Sequence, residues 1–156
     1  MSRRTVATLA VMLFAAAAIA SAAFAASGPS GPATVKSRST SLGTILVDAK
    51  GRTLYLFEKD RAGKSACSGA CAKNWPPLLT KGAPKAAGSA RKAKLGTTRR
   101  ADGTSQVTYA GHPLYTFVVD AGKPGSTKGE GIEAFGAEWY VVGTAGKKIE
   151  KGGSGY

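Results

Sequence analysis

One segment occurs twice in the chain. Gly51-Arg52-Thr53-Leu54-Tyr55-Leu56-Phe57-Glu58-Lys59-Asp60 is answered by Gly111-His112-Pro113-Leu114-Tyr115-Thr116-Phe117-Val118-Val119-Asp120. Gly, Leu, Tyr, Phe and Asp match in order and without a gap. Val47 and Val107, and Gly69 and Gly129, keep the same offset, and Trp75 answers Trp139 after a short length difference. Self-similarity of this kind marks one structural unit used twice. The unit is predicted to be β. In the first copy Leu54 and Leu56 point to one side of an extended chain and Tyr55 and Phe57 to the other. Both faces are apolar, which suits a strand covered on both sides.

The flanking sequence completes two hairpin-like units. Thr44-Ile45-Leu46-Val47 precedes the first motif through a turn at Asp48-Ala49-Lys50-Gly51, and Thr53–Glu58 returns. In the second copy, Leu95–Arg100 is predicted to pair with Thr104–Tyr109 around Ala101-Asp102-Gly103, since Asp-Gly is a strong hairpin signal. Pro113–Val119 then reads as a strand apolar on both faces, and Glu138–Val142 as the last strand. Lys81–Lys94 is the one helical candidate, broken by Gly82, Pro84 and Gly88. The expectation is an all-β or mainly β chain with long loops, folded as one compact antiparallel domain. Its two tandem repeats would be related by a pseudo-twofold that places Tyr55 with Tyr115 and Phe57 with Phe117. Trp75 and Trp139 are read as structural residues of the motif, each paired with the loop of its own repeat.

The termini set the compartment. Arg3 and Arg4 precede an apolar run over Val6–Ala20, and Ala23-Phe24-Ala25 offers the small residues of a cleavage site, the pattern of a secretory signal peptide. The run is shorter than the roughly 20 residues that span a bilayer. No Cys stands near Ala25 to be acylated, so a soluble protein, periplasmic or extracellular, is expected. The organisation read from the sequence is a signal peptide over 1–25 and a flexible Ser/Gly/Pro leader over 26–41. A β domain follows over 42–142, with repeat 1 at about 43–80, a basic linker at 81–94 and repeat 2 at about 95–142. A Gly-rich disordered tail closes the chain at 143–156.

The formal charge is +13, and Lys81, Lys85, Arg91, Lys92, Lys94, Arg99 and Arg100 lie in a stretch without any acidic residue. Such a field attracts polyanions, and in an exported protein these are envelope polymers or lipid head groups. Nucleic acid is not expected, because no aromatic residue interleaves the charges to stack on bases. A solvated basic loop explains the same composition.

Few residues offer chemistry. Cys67 and Cys71 are the only cysteines, and with Gly69 between them they suit a small disulfide loop in an oxidising compartment, ahead of Trp75-Pro76-Pro77. Thr127 and Gly131 stand at the matching positions of the second copy. The spacing fits neither haem attachment nor a thioredoxin-type exchanger. Copper held by Cys67, Cys71 and His112 is the alternative, His112 being the only histidine. Asp60 and Asp120 suggest paired carboxylates for acid–base work, or strand-ending residues that accept backbone hydrogen bonds, with the rings of Tyr55 and Tyr115 packed inside. No Gly-x-Ser-x-Gly, Walker-type loop or His-Glu-x-x-His occurs, and no catalytic residue is nominated.

Taken together, Tyr55-x4-Asp60, Tyr115-x4-Asp120, Cys67-x3-Cys71-Ala72 and Trp75-Pro76-Pro77 resemble the bacterial secreted repeat family, predicted lipoproteins with a duplicated Tyr-x-(aromatic)-x-x-Asp motif. The resemblance runs from about Gly43 to Val142. It implies export, two tandem repeats and no accepted catalytic residue. Two functions stay open: a non-catalytic binding or structural module of the envelope, and a redox or copper-handling protein using the cysteine pair.

Overall fold

The computed structural model describes residues 28–150. The expected signal peptide, 1–25, and positions 151–156 of the tail lie outside the described residues. The order is β1 (Thr34–Thr40), β2 (Gly43–Asp48), β3 (Tyr55–Phe57), α1 (Ala70–Asn74), β4 (Lys85–Ala87), β5 (Leu95–Arg99) and β6 (Ser105–Tyr109). Then come β7 (His112–Pro113), β8 (Ile132–Ala134), β9 (Ala137–Val142) and β10 (Lys148–Ile149). Three small sheets result, ordered β2-β1-β4, β10-β9-β3 with β8 also on β9, and β5-β6-β7. The fold is mainly β, as the alternating pattern predicts. Every pairing is antiparallel except β1 with β4, which is parallel.

The motif strand is covered on both faces. Tyr55 and Phe57 enter one apolar cluster with Ile45, Val47, Trp75, Tyr115 and Trp139. Leu54 and Leu56 enter a second, with Val35, Leu46, Val107, Leu114 and Val142. The second copy divides alike, Tyr115 with the first cluster and Leu114 with the second. Each motif is therefore a wall between two cores, and both cores depend on both repeats.

The two motifs meet at their tyrosines. Tyr55 N–H donates to Tyr115 C=O at 2.9 Å, and Tyr115 N–H donates to Tyr55 C=O at 3.0 Å. Two residues that exchange both backbone bonds in an antiparallel bridge are related by a local twofold. The bridge thus joins the two motifs through equivalent residues about a local axis.

Several boundaries differ from expectation. The stretch read as a leader contributes β1, central in its sheet, with Val35 fully buried. Its Ser- and Thr-rich sequence hides it, yet β1 pairs with β2 as β5 pairs with β6. The basic linker carries β4, and the tail carries β10 on β9. Helix forms at Ala70–Asn74, outside the candidate stretch, where only Lys92–Lys94 makes a 3-10 turn. The strand expected over Pro113–Val119 stops at Pro113 as a ladder. Leu114, Tyr115 and Thr116 give their N–H groups to Val107, Tyr55 and Pro76 in turn, three different neighbours. Val118–Asp120 closes into a 3-10 turn, leaving Val118 and Val119 45% and 50% exposed.

Candidate functional site: the crossed tyrosine–aspartate pairs

Each motif tyrosine bonds the aspartate of the other motif. Tyr55 Oη donates to Asp120 Oδ2 at 2.7 Å, and Tyr115 Oη to Asp60 Oδ2 at 2.8 Å. The bridge at the axis sends the two rings past each other, so each hydroxyl reaches the far repeat. The second carboxylate oxygens are engaged as well. Asp120 Oδ1 accepts from Ser126 Oγ at 2.7 Å and Lys128 N at 3.1 Å, and Asp60 Oδ1 accepts from Ala66 N at 2.7 Å. Each aspartate thus orders the loop that follows it, as a turn carboxylate is expected to do, and takes a phenol from across the axis.

Electrostatics follow from burial. Burial, chiefly, and the facing carboxylates hold both phenols well above their ordinary pKa, so each remains a donor. Burial also raises the Asp60 carboxyl, against the opposing pull of the Ala66 N–H, the Tyr115 hydroxyl, Arg100 and His112. The sites differ in enclosure. Asp120 is buried, whereas Asp60 opens on a cleft of about 510 Å³ lined also by Leu56, Phe57, Arg61, His112 and Lys148.

Between the pairs runs an aromatic stack that period and spacing do not reveal. Trp75 and Trp139 lie face to face with centroids 4.0 Å apart. Phe57 stacks on the far side of Trp139 and Phe117 on that of Trp75, each at 4.0 Å. Tyr55 meets Trp75 edge-on at 5.3 Å and Tyr115 meets Trp139 at 5.1 Å. The tryptophans of the two repeats are thus in direct contact. They are one contact on the axis. Gly129 permits it, since a Cβ there would lie 2.7 Å from Trp75 Cη2 and 2.8 Å from Tyr55 Cε1. The repeated Trp was the available signal: a duplicated core residue near a twofold meets its own copy.

Cys67 and Cys71 form a disulfide with Cα atoms 5.3 Å apart. Both are buried against the first cluster, and the loop runs into α1, where Trp75 N–H donates to Cys71 C=O at 2.8 Å. Arg100, which sequence reasoning placed in the basic run, is turned inward with a side chain 6% exposed. It donates to Cys67 C=O, Ser65 Oγ and Gln106 Oε1 at 2.7, 2.9 and 2.7 Å. Ser65 in turn lies 2.8 Å from Tyr115 Oη, which joins the disulfide loop to a crossed pair. The three copper candidates do not assemble: the two sulfurs are bonded to each other, and His112 sits exposed on β7. Among the described residues no group of three or more His, Cys, Asp or Glu is placed to hold a metal ion.

A family model described as a secreted repeat of unknown function matches residues 36–79 and again residues 96–143. The chain belongs to this family. No curated protein and no solved structure matches it. The first match begins at residue 36, within β1, so the repeat takes in most of that strand. The crossed pairs join the two secreted repeats, Tyr55 and Asp60 lying in one match and Tyr115 and Asp120 in the other. Among the described residues no helix is long and apolar enough to cross a membrane.

Proposed function

We propose that the protein acts outside the cytoplasm, in the periplasm or extracellularly, as a non-catalytic structural or binding module of the envelope. Its duplicated motif would hold the fold, and its basic segment would meet anionic polymers or lipid head groups. The observation carrying this reading is the fate of the motif. Its tyrosines and Asp120 are buried and bonded to one another, so their polar atoms join the two repeats and are closed to a ligand or substrate. Lys81, Lys85, Arg91, Lys92 and Arg99 are exposed, and Arg100 leaves that surface for the interior.

Cosedimentation with phosphatidylglycerol vesicles, against vesicles of zwitterionic lipid, tests the surface. Salt-sensitive binding to the anionic vesicles alone, lost when Lys81, Lys85, Arg91 and Lys92 become Gln, is expected. Equal binding by that variant sinks the assignment. Titration of the exported protein should find no free thiol, native or denatured. Two accessible thiols that bind Cu(I) would favour a copper-handling protein instead.

A further inference from the structure

Phe57, Trp139, Trp75 and Phe117 form one continuous stack with successive interplanar angles of 7°, 4° and 17°. Each indole has one phenol at its edge, and each phenol already directs its proton at a carboxylate. Phe117, half-buried, is the end of the stack nearest solvent, while both indoles and both phenols are fully enclosed. Indoles and phenols are among the side chains that give up a single electron most readily. A phenol that loses an electron must also lose its proton, and a positioned base lets both leave together. Tyr109 lacks such a base, its hydroxyl donating to Thr144 C=O at 2.8 Å. Burial keeps both motif phenols in the protonated form that this chemistry starts from.

We propose that the ring stack and the crossed Tyr–Asp pairs form a one-electron relay that moves an oxidising equivalent from the surface at Phe117 to Tyr55 or Tyr115. A one-electron oxidant of the small-radical class takes an electron from Trp75 or Trp139, leaving an indole radical cation. The adjoining phenol returns one electron to that indole. Its O–H bond breaks, and the proton passes to Asp120 from Tyr55, or to Asp60 from Tyr115. The net change is one electron lost to the oxidant, one phenoxyl radical formed and one carboxylate protonated, with no atom leaving the protein. A one-electron reductant reverses it, and the carboxyl returns the proton.

Pulse radiolysis with the azidyl radical, which oxidises indole and leaves as azide, tests the relay on the full exported chain. Transient absorption of the wild type should show the indole radical converting to phenoxyl in a first-order process independent of protein concentration. Tyr55→Phe with Tyr115→Phe should lose most of the phenoxyl, while Tyr140→Phe, a half-buried position that bonds Glu138 and has no ring in the stack, should change nothing. Asp120→Asn with Asp60→Asn keeps an oxygen acceptor but removes the base, and should slow the conversion about a hundredfold. An indole radical that persists in the wild type until it decays bimolecularly overturns the proposal without any variant. So does a phenoxyl yield undiminished in the double phenylalanine variant. Should a double variant fail to fold by aromatic circular dichroism, each single variant should lose part of the phenoxyl or slow its formation, and two folded single variants indistinguishable from wild type also overturn it.

Discussion

The hydroxyl of Tyr55 and the carboxylate of Asp120 meet at 2.7 Å across the boundary between the two repeats. Tyr55 has an aspartate in its own motif, Asp60, and does not use it, because that carboxylate receives Tyr115. The crossing gives a thermodynamic signature. Tyr55→Phe should destabilise by about 1.5–3 kcal/mol, as for a hydrogen bond to a charged group. A double-mutant cycle with Asp120→Asn should show coupling of about 0.5–3 kcal/mol, and one with Asp60→Asn close to none. Urea unfolding of the variants checks both. Coupling to Asp60 instead would place the bond within the repeat.

Gly129 should not tolerate a methyl group. Its added Cβ would meet Trp75 and Tyr55 inside van der Waals distance, at the centre of the stack. Gly129→Ala should cost about 1–3 kcal/mol, the usual scale for overpacking. Gly31, where a Cβ meets nothing within 4 Å and the backbone is not left-handed, supplies the comparison. Thermal melts of both variants decide it, and an equal loss would refute the steric account.

The stacked indoles predict an optical signal. Two tryptophans 4.0 Å apart and 4° from parallel are close enough for their excited states to couple. Trp75→Phe and Trp139→Phe should each abolish the same circular-dichroism couplet. Loss in only one variant would mean that the two rings are separated in solution.

The disulfide should matter through α1 and Trp75. Replacing Cys67 and Cys71 with Ser should lower stability by about 1–3 kcal/mol, less than most native bridges because the loop is short. The wild-type mass should be two hydrogens below that of the reduced chain. Because Trp75 touches Trp139, reduction should perturb both emissions, as single-Trp variants would show. A thermally silent replacement would remove the structural role.

Alkaline unfolding follows from the raised phenols. The folded pKa values of Tyr55 and Tyr115 lie above the ordinary 10.0, so the unfolded chain releases these protons first. Their contribution is fully present below pH 10 and lost as pH rises beyond it. Stability measured from pH 8 to 12 should therefore fall through that window, and Tyr55→Phe with Tyr115→Phe should flatten the fall. A wild-type curve as flat as the variant's would contradict it.

Sequence alone determined whatever local geometry enforces. Alternation at period two separated Leu54 and Leu56 from Tyr55 and Phe57, and the structure puts them in two cores. Asp102-Gly103 set the register of β5 on β6, because a tight turn leaves few pairings. Close spacing made Cys67 and Cys71 natural partners. Duplication implied an axis. Only the tertiary structure decided what crosses it. Whether a phenol meets the aspartate of its own repeat or of the other depends on how the two halves dock, which no local propensity encodes. The Trp75–Trp139 contact has the same origin, and so does β1, whose polar residues become a strand because β2 and β4 pair with it on either side.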